Sequence, residues 1–301
     1  MAIYLTTEAT ADFPQSMLKE NCAIIPMGYT VNGKAYDGET TKLTPSEFYN
    51  ACRQATCKED LPQTTMVTAY MAENFFRPIL QAGHDILHIG FSSALSGTFD
   101  QIRAAAQTLR EEFPDRRIEV VDSLSASFVE GLLYYYVLQK RESGANMDEL
   151  VAYTESMRLQ CNGYFIVDDL KHLMRTGRTS RAAAYIGGAL QIKPMLYIND
   201  EGKLVPIAKA MSRKKAVRTL LNKVSERAYA LDGQSMIAVG HADCESDAMA
   251  LADVLRTEYH APNIMLFDIG PVIGTHVGAG MLAIVMLAPD RNDPADPGNK
   301  A

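Results

Sequence analysis

The chain has 301 residues, of which 47% are hydrophobic and 22% charged, and its formal net charge is −7. This length and composition are typical of a soluble globular protein with room for two domains and a substantial core. The negative charge argues against a nucleic-acid surface, and the lack of 18 consecutive apolar residues argues against stable membrane insertion.

The first 160 residues alternate strand and helix signals. The apolar run AIYLT predicts a first strand, and Asp12 followed by Pro14 indicates the start of a helix. Asn32-Gly33 predicts a hairpin turn between two short strands. The capping box TPSE predicts that Thr44 begins a helix, because its hydroxyl can accept a bond from a free N–H group.

Two further apolar runs, DILHIG and RIEVVD, predict strands that are each followed by a hydroxyl-rich loop and a long amphipathic helix. The helix after RIEVVD is expected to reach about Arg141, and Asn146 is expected to cap the next helix. Strands and helices that alternate in this way favour a mainly parallel sheet flanked by helices.

From about residue 161 the pattern changes. The turn at 199–202 predicts a second hairpin, and three apolar runs, QSMIAVGHAD, NIMLFDIG and GMLAIVML, predict three more strands. We therefore expect two α/β domains, residues 1–160 and residues 161–288. The Pro- and Asp-rich residues 289–301 are expected to form a flexible tail.

The five cysteines form no CxxC pair, and the N-terminus lacks the basic and long apolar regions of a signal peptide. These features indicate reduced thiols and a cytoplasmic location. No ligand-like spacing links the histidines to cysteines or acidic residues, so neither a metal nor another cofactor is expected.

Three loops are rich in hydroxyl groups or glycine. FSSALSGT at 91–98 and DIGPVIGTHVGAG at 268–280 each follow a predicted strand, and PQTTMVT at 62–68 precedes a predicted helix. Such loops leave N–H groups uncovered, so they can hold an anionic head group, or they can be tight turns only. Ser96 could donate to a ligand while Gly97 and Thr98 begin the next helix, or it could be only the cap of that helix. Thr64 presents the same alternatives.

Two kinds of side chain could add charge or a proton to such a site. His276 is the histidine of the glycine-rich loop, and it could bind a ligand or be only a structural hydrogen-bonding group. Arg175, Arg178 and Arg181 surround a glycine and could form a positive rim for a carboxylate or phosphate, or be solvated surface charges.

Together these segments resemble a known family. TTEATADFP is similar to its TDSTADLP opening, SSALSGT to its SSxLSGT segment and VVDSLSAS to its VIDSxSxS segment. DDLKHLMRTGRTS with IKPML resembles its LxxLxxGGRIS and IKP block, and IGPVIGTHVGAG its IGPVIGxHxGPG end. The ordered motifs resemble the DegV family of bacterial fatty-acid-binding proteins, and the resemblance spans residues 3–287.

The resemblance implies a two-domain α/β protein that holds one long-chain fatty acid at and below the domain interface. Thr64 and Ser96 match the family's carboxylate ligands, while Arg178 and His276 match residues near the head group. Gly97 and Thr98, which adjoin Ser96, are included in the predicted ligand-binding set. The fatty acid is a ligand, and the protein itself is expected not to be an enzyme.

Some family members hand the acid to a separate fatty-acid kinase, so such a kinase is a candidate partner. Met211 stands where the family's basic segment commonly has an arginine, a departure that bears on kinase docking. Two other interpretations of the function remain open. The protein could be a lipid-sensing regulatory protein, or an enzyme that acts on an acyl or phosphate ester through Ser96 or His276.

Overall fold

The computed structural model describes residues 2–55, 60–168, 170–179, 192–229 and 235–299. Its strands are β1 Ile3–Glu8, β2 Cys22–Ile25, β3 Tyr29–Val31, β4 Lys34–Tyr36, β5 Gln63–Thr64, β6 Asp85–Gly90, β7 Ile118–Asp122, β8 Cys161–Ile166, β9 Lys193–Ile198, β10 Leu204–Ala210, β11 Ile237–His241, β12 Ile264–Asp268 and β13 Leu282–Leu287. Its helices are α1 Pro45–Gln54, α2 Ala69–Gln81, α3 Thr98–Glu112, α4 Phe128–Glu142, α5 Met147–Met157, α6 Leu170–Arg175, α7 Arg213–Arg227, α8 Glu245–Thr257 and α9 Pro271–Val277.

The strands form one parallel sheet and one mixed sheet, with a small third sheet beside them. The parallel sheet has the order β2-β1-β6-β7, and helices connect β6 to its neighbours along the chain. The mixed sheet has the order β10-β9-β8-β13-β11-β12, in which only the β11–β12 pair is parallel. The order β4-β3-β5 completes the architecture. The predicted α/β class, with a parallel sheet flanked by helices, is confirmed.

Local signals fixed several helix starts as predicted. Thr44 and Asn146 each cap a helix through a capping box with the glutamate three residues later. The expected helix start at Asp12 is wrong, because only a three-residue 3₁₀ turn, Gln15–Met17, follows it. Asp12 has a left-handed φ of 48° and accepts hydrogen bonds from the Ser127 hydroxyl (2.6 Å) and the Gly270 N–H (2.9 Å). These long-range bonds override its capping tendency.

Helix α4 lies between the two large sheets. It packs against β1 and β6 on one side and against β8 and β13 on the other. Its residues from Phe128 to Tyr134 are all buried, and the Tyr134 hydroxyl donates to the Leu5 carbonyl at 3.0 Å. One hydrophobic cluster therefore contains residues of both sheets, and the division at residue 160 stays a prediction.

Residues after Pro289 pack against the rest of the chain as far as Asp296. The hydroxyls of Tyr164 and Tyr197 donate to the buried carboxylates of Asp293 (3.0 Å) and Asp296 (2.5 Å). Arg291 is 1% exposed, and burial lowers its pKa to about 10, so it keeps its charge at neutral pH. Its guanidinium donates to the carbonyls of Leu124, Arg158, Cys161 and Asn199 and to the hydroxyl of Ser125.

Within the described residues, no helix combines the length and apolar character that crossing a bilayer requires.

Candidate functional site

A cavity of about 530 Å³ lies beside α4, between loops of the parallel sheet and the inner face of the mixed sheet. Its walls are mostly apolar, and they include Phe91, Leu173, Ile273 and Val285. The polar side chains that line it are Thr10, Thr64, Thr65, Ser96, Ser127, Tyr164, Arg178, Thr179, Lys203 and His276. The cavity has the form of an apolar chamber with a limited set of hydrogen-bonding groups.

Thr64 and His276 meet at one end of this cavity. Thr64 ends β5, which pairs with β3, and His276 lies in the last turn of α9. The Thr64 hydroxyl oxygen is 3.2 Å from Nε2 of His276, although 211 residues separate the two in the chain. The β5–α9 packing therefore brings together two of the residues that the sequence analysis selected.

Ser96 lies in the loop between β6 and α3. Its hydroxyl accepts a bond from the Thr98 N–H (3.2 Å) and is 3.1 Å from the Thr98 hydroxyl. The N-cap of α3 is Gly97, not Ser96. Ser96 and Gly97 line the cavity, whereas Thr98 is fully buried behind them. Ser96 therefore presents a hydroxyl to the cavity that its neighbours orient.

His276 is a neutral group at physiological pH. Burial lowers its pKa to about 3, and the electrostatic effects of Arg178 and then of the His172 ring act in the same direction. Its Nδ1 atom is buried and has no hydrogen-bond partner in the described part of the chain. If Nε2 accepts from Thr64, Nδ1 carries the proton and can donate to a ligand oxygen.

Arg178 lines the cavity and is exposed to solvent, with Nη1 donating to the Thr176 carbonyl at 2.5 Å. Partial burial lowers its pKa from the ordinary arginine value. Of the other two arginines of the predicted rim, Arg181 lies outside the described residues. Among the described side chains, Arg178 is the member of the predicted rim that lines the cavity, and Lys203 is a second basic residue in its wall.

Thr179 is a cavity residue that the sequence analysis did not select. Its side chain is 5% exposed, and its hydroxyl has no partner among the described residues. A free buried hydroxyl that faces a cavity is available to a polar ligand atom. The sequence signal was its position directly after Arg178, but a threonine after an arginine is too common to be specific.

A buried pair of carboxyl groups supports the wall beside Thr10. Thr7 and Thr10 donate to Glu130, with oxygen–oxygen distances of 2.8 and 3.2 Å, and both Glu8 and Glu130 are fully buried. Burial, followed by the charge of Glu8, raises the pKa of Glu130 well above its ordinary value. This shift favours the protonated form of Glu130, while Glu8 accepts from the Phe91 N–H at 3.1 Å.

Glu130→Gln is expected to make stability less sensitive to pH. The raised pKa means that the folded state keeps a proton that an unfolded glutamate loses above about pH 4.3. The contribution of Glu130 to wild-type stability is therefore fully present below that pH and is lost as pH rises toward the raised pKa of the folded state, while glutamine avoids this loss. Urea unfolding at several pH values should show the variant gaining on the wild type as pH increases.

The matched control is Glu142→Gln, because Glu142 lies on the same helix and is exposed. The free energy of unfolding of this control should change with pH in the same way as that of the wild type. If the unfolding free energy of Glu130→Gln also followed the pH dependence of the wild type, Glu130 would be ionised in the folded protein.

Comparisons with known proteins agree with this architecture. The DegV family model matches residues 2–289. The chain belongs to the DegV family. A DegV domain-containing protein of Clostridium perfringens is 38% identical over 290 residues, which cover 96% of this chain and 98% of that protein.

Two solved structures of the family match almost the whole chain. The fatty acid binding DegV family protein of Streptococcus agalactiae is 27% identical with a TM-score of 0.83, covering 96% of this chain and 100% of its own. DegV of Bacillus subtilis, a fatty acid binding protein, is 28% identical with a TM-score of 0.80, covering 96% and 99%.

No group of three or more histidine, cysteine, aspartate or glutamate side chains in the described ranges is arranged to hold a metal ion.

Proposed function

We propose that this protein binds one long-chain fatty acid, with the carboxylate at Thr64, Ser96, Arg178 and His276 and the acyl chain in the apolar part of the cavity. The observation that carries the proposal is the cavity itself, in which these four residues meet apolar walls. The proteins from Streptococcus agalactiae and Bacillus subtilis, described as fatty acid binding, support it through their similarity over nearly the whole chain.

The energetics fit a lipid ligand. Burial of about 15 methylenes at ~0.8 kcal/mol each offers on the order of 12 kcal/mol before the cost of ordering the chain. A carboxylate costs several kcal/mol to bury unless it is hydrogen-bonded. The hydroxyls of Thr64 and Ser96 would offset that cost, and the positive charge of Arg178 would favour the anionic form. The acyl chain would supply most of the affinity, and the head contacts would fix its direction.

The geometry favours a binding protein over an enzyme acting on acyl or phosphate esters. With a pKa of about 3, His276 is too weak a base to activate a serine hydroxyl near neutral pH. The exposed Arg178 marks the carboxylate end as the accessible end, which would suit presentation of the acid to a fatty-acid kinase. Free thiols at Cys22, Cys52, Cys161 and Cys244 fit a cytoplasmic setting for such a carrier.

The proposal is tested by extracting the purified protein and by native mass spectrometry. We expect roughly one acyl chain per protein, because a single chamber of this size holds one chain. Lipid-free protein should take up added palmitate or oleate, and a fatty-acid kinase with ATP should convert the bound acid to its acyl phosphate. Repeated preparations that contain no co-purified acid and take up no added acid would refute binding. A loaded protein whose acid the kinase does not phosphorylate would favour a lipid sensor.

A further inference from the structure

Part of the cavity wall is formed where α4, β8 and β13 come together. Val129 on α4, Gly163 on β8 and Val285 on β13 line it there, and Gly163 and Val285 are paired in register. Cys161 and Leu287 form the pair two residues further along the same face. Among the described residues these two are not part of the cavity wall, so along β8 and β13 the wall ends at the Gly163–Val285 row.

Along β13, this row is the part of the cavity wall farthest in the chain from α9, which carries His276. After α9 the wall continues at Met281, directly before β13, and then along β13 to Val285. Four residues of extended strand span about 13 Å. A carboxylate beside His276 would therefore direct the terminal methyl group of the chain toward Val285.

Val129 occupies the space that a side chain at position 163 would need. A Cβ atom on Gly163 would lie 2.3 Å from Cγ2 of Val129, which is far inside van der Waals contact. Val129 is 3% exposed and belongs to the core cluster shared by both sheets. Its branched side chain is thus held against the β8 backbone and forms the end of the chamber from the α4 side.

The geometry points to Val129 as the residue that limits acyl chain length. This inference rests on the proposed function and specifies its ligand as an unbranched chain whose methyl end reaches Val129. A longer chain has to displace the valine against a tightly packed backbone, and a shorter chain leaves an unfilled space, so both are disfavoured. The selectivity comes from the tail and is independent of the head contacts.

Val129→Ala tests the inference by measuring affinities for a series of unbranched saturated fatty acids of increasing length. The optimum should move to a chain one or two carbons longer. The affinity ratio between the longer and the original acid should rise about fourfold per added methylene, the factor that corresponds to ~0.8 kcal/mol. Val129→Ile should move the optimum in the opposite direction.

Val137→Ala is the matched control, because Val137 is fully buried on the same helix and is not among the cavity-lining residues. It should leave the optimum unchanged. Acid binding with the same optimum in wild type, Val129→Ala and Val129→Ile would overturn the inference while leaving fatty-acid binding intact. A wild type that binds no acid of the series would refute the proposed function instead.

Discussion

Replacing Arg291 by alanine is expected to lower the free energy of unfolding by about 3–5 kcal/mol. The guanidinium is buried and donates to five oxygens that belong to loops around residues 124, 158 and 199 and to the start of β8. Its removal leaves several of these acceptors in the interior without a donor, and each unsatisfied group costs about 1–3 kcal/mol. Equilibrium urea unfolding followed by circular dichroism measures the loss.

Arg256→Ala is a suitable comparison, since Arg256 is exposed and pairs with Asp253 at 2.9 Å. An exposed ion pair of this kind contributes at most about 1 kcal/mol. If Arg291→Ala were as mild as this control, water would have to replace the guanidinium at its acceptors, and the C-terminal segment would not be a structural part of the fold.

The double variant Thr64→Ala, Ser96→Ala is expected to weaken fatty-acid binding by roughly 30-fold to 1,000-fold while the protein stays folded. A hydrogen bond to a charged group is worth about 1.5–3 kcal/mol. Because both hydroxyls would act on one carboxylate, the two single effects should not simply add. Isothermal titration with a fatty acid of the delipidated wild type, both single variants and the double variant gives the four affinities needed.

Ser93→Ala provides the control, because Ser93 is an exposed serine of the same loop and does not line the cavity. It should bind like the wild type. An unchanged affinity in the double variant, with acid still bound, would locate the carboxylate elsewhere in the cavity. Thr179, whose buried hydroxyl has no partner within the described ranges, would then be the next residue to replace.

The parts of the fold that depend on neighbours in the chain were predictable from sequence. Capping at Thr44 and Asn146, the hairpin at Asn32 and the β-α alternation of the first half need only local chemistry. The conformation of Asp12 was not predictable in this way. It is held by Ser127 and Gly270, which lie 115 and 258 residues away.

The residues of the candidate site also differ in how far the sequence alone could identify them. Thr64, Ser96, Arg178 and His276 could be selected because they stand in motifs that resemble a known family, and all four line the cavity. Their role as ligands stays a prediction. The Glu8–Glu130 pair and Arg291 had no such signal, because nothing in the sequence pairs residues that only the folded sheets bring together.

The position of α4 has a consequence for synthesis on the ribosome. The helix is complete once residue 142 has been made, yet much of its apolar surface is covered by β8 and by β13, which ends only at Leu287. A nascent chain therefore lacks the cover for the β8- and β13-facing side of α4 until almost the whole protein has emerged. We expect this interval to favour chaperone capture over early native folding of the N-terminal half.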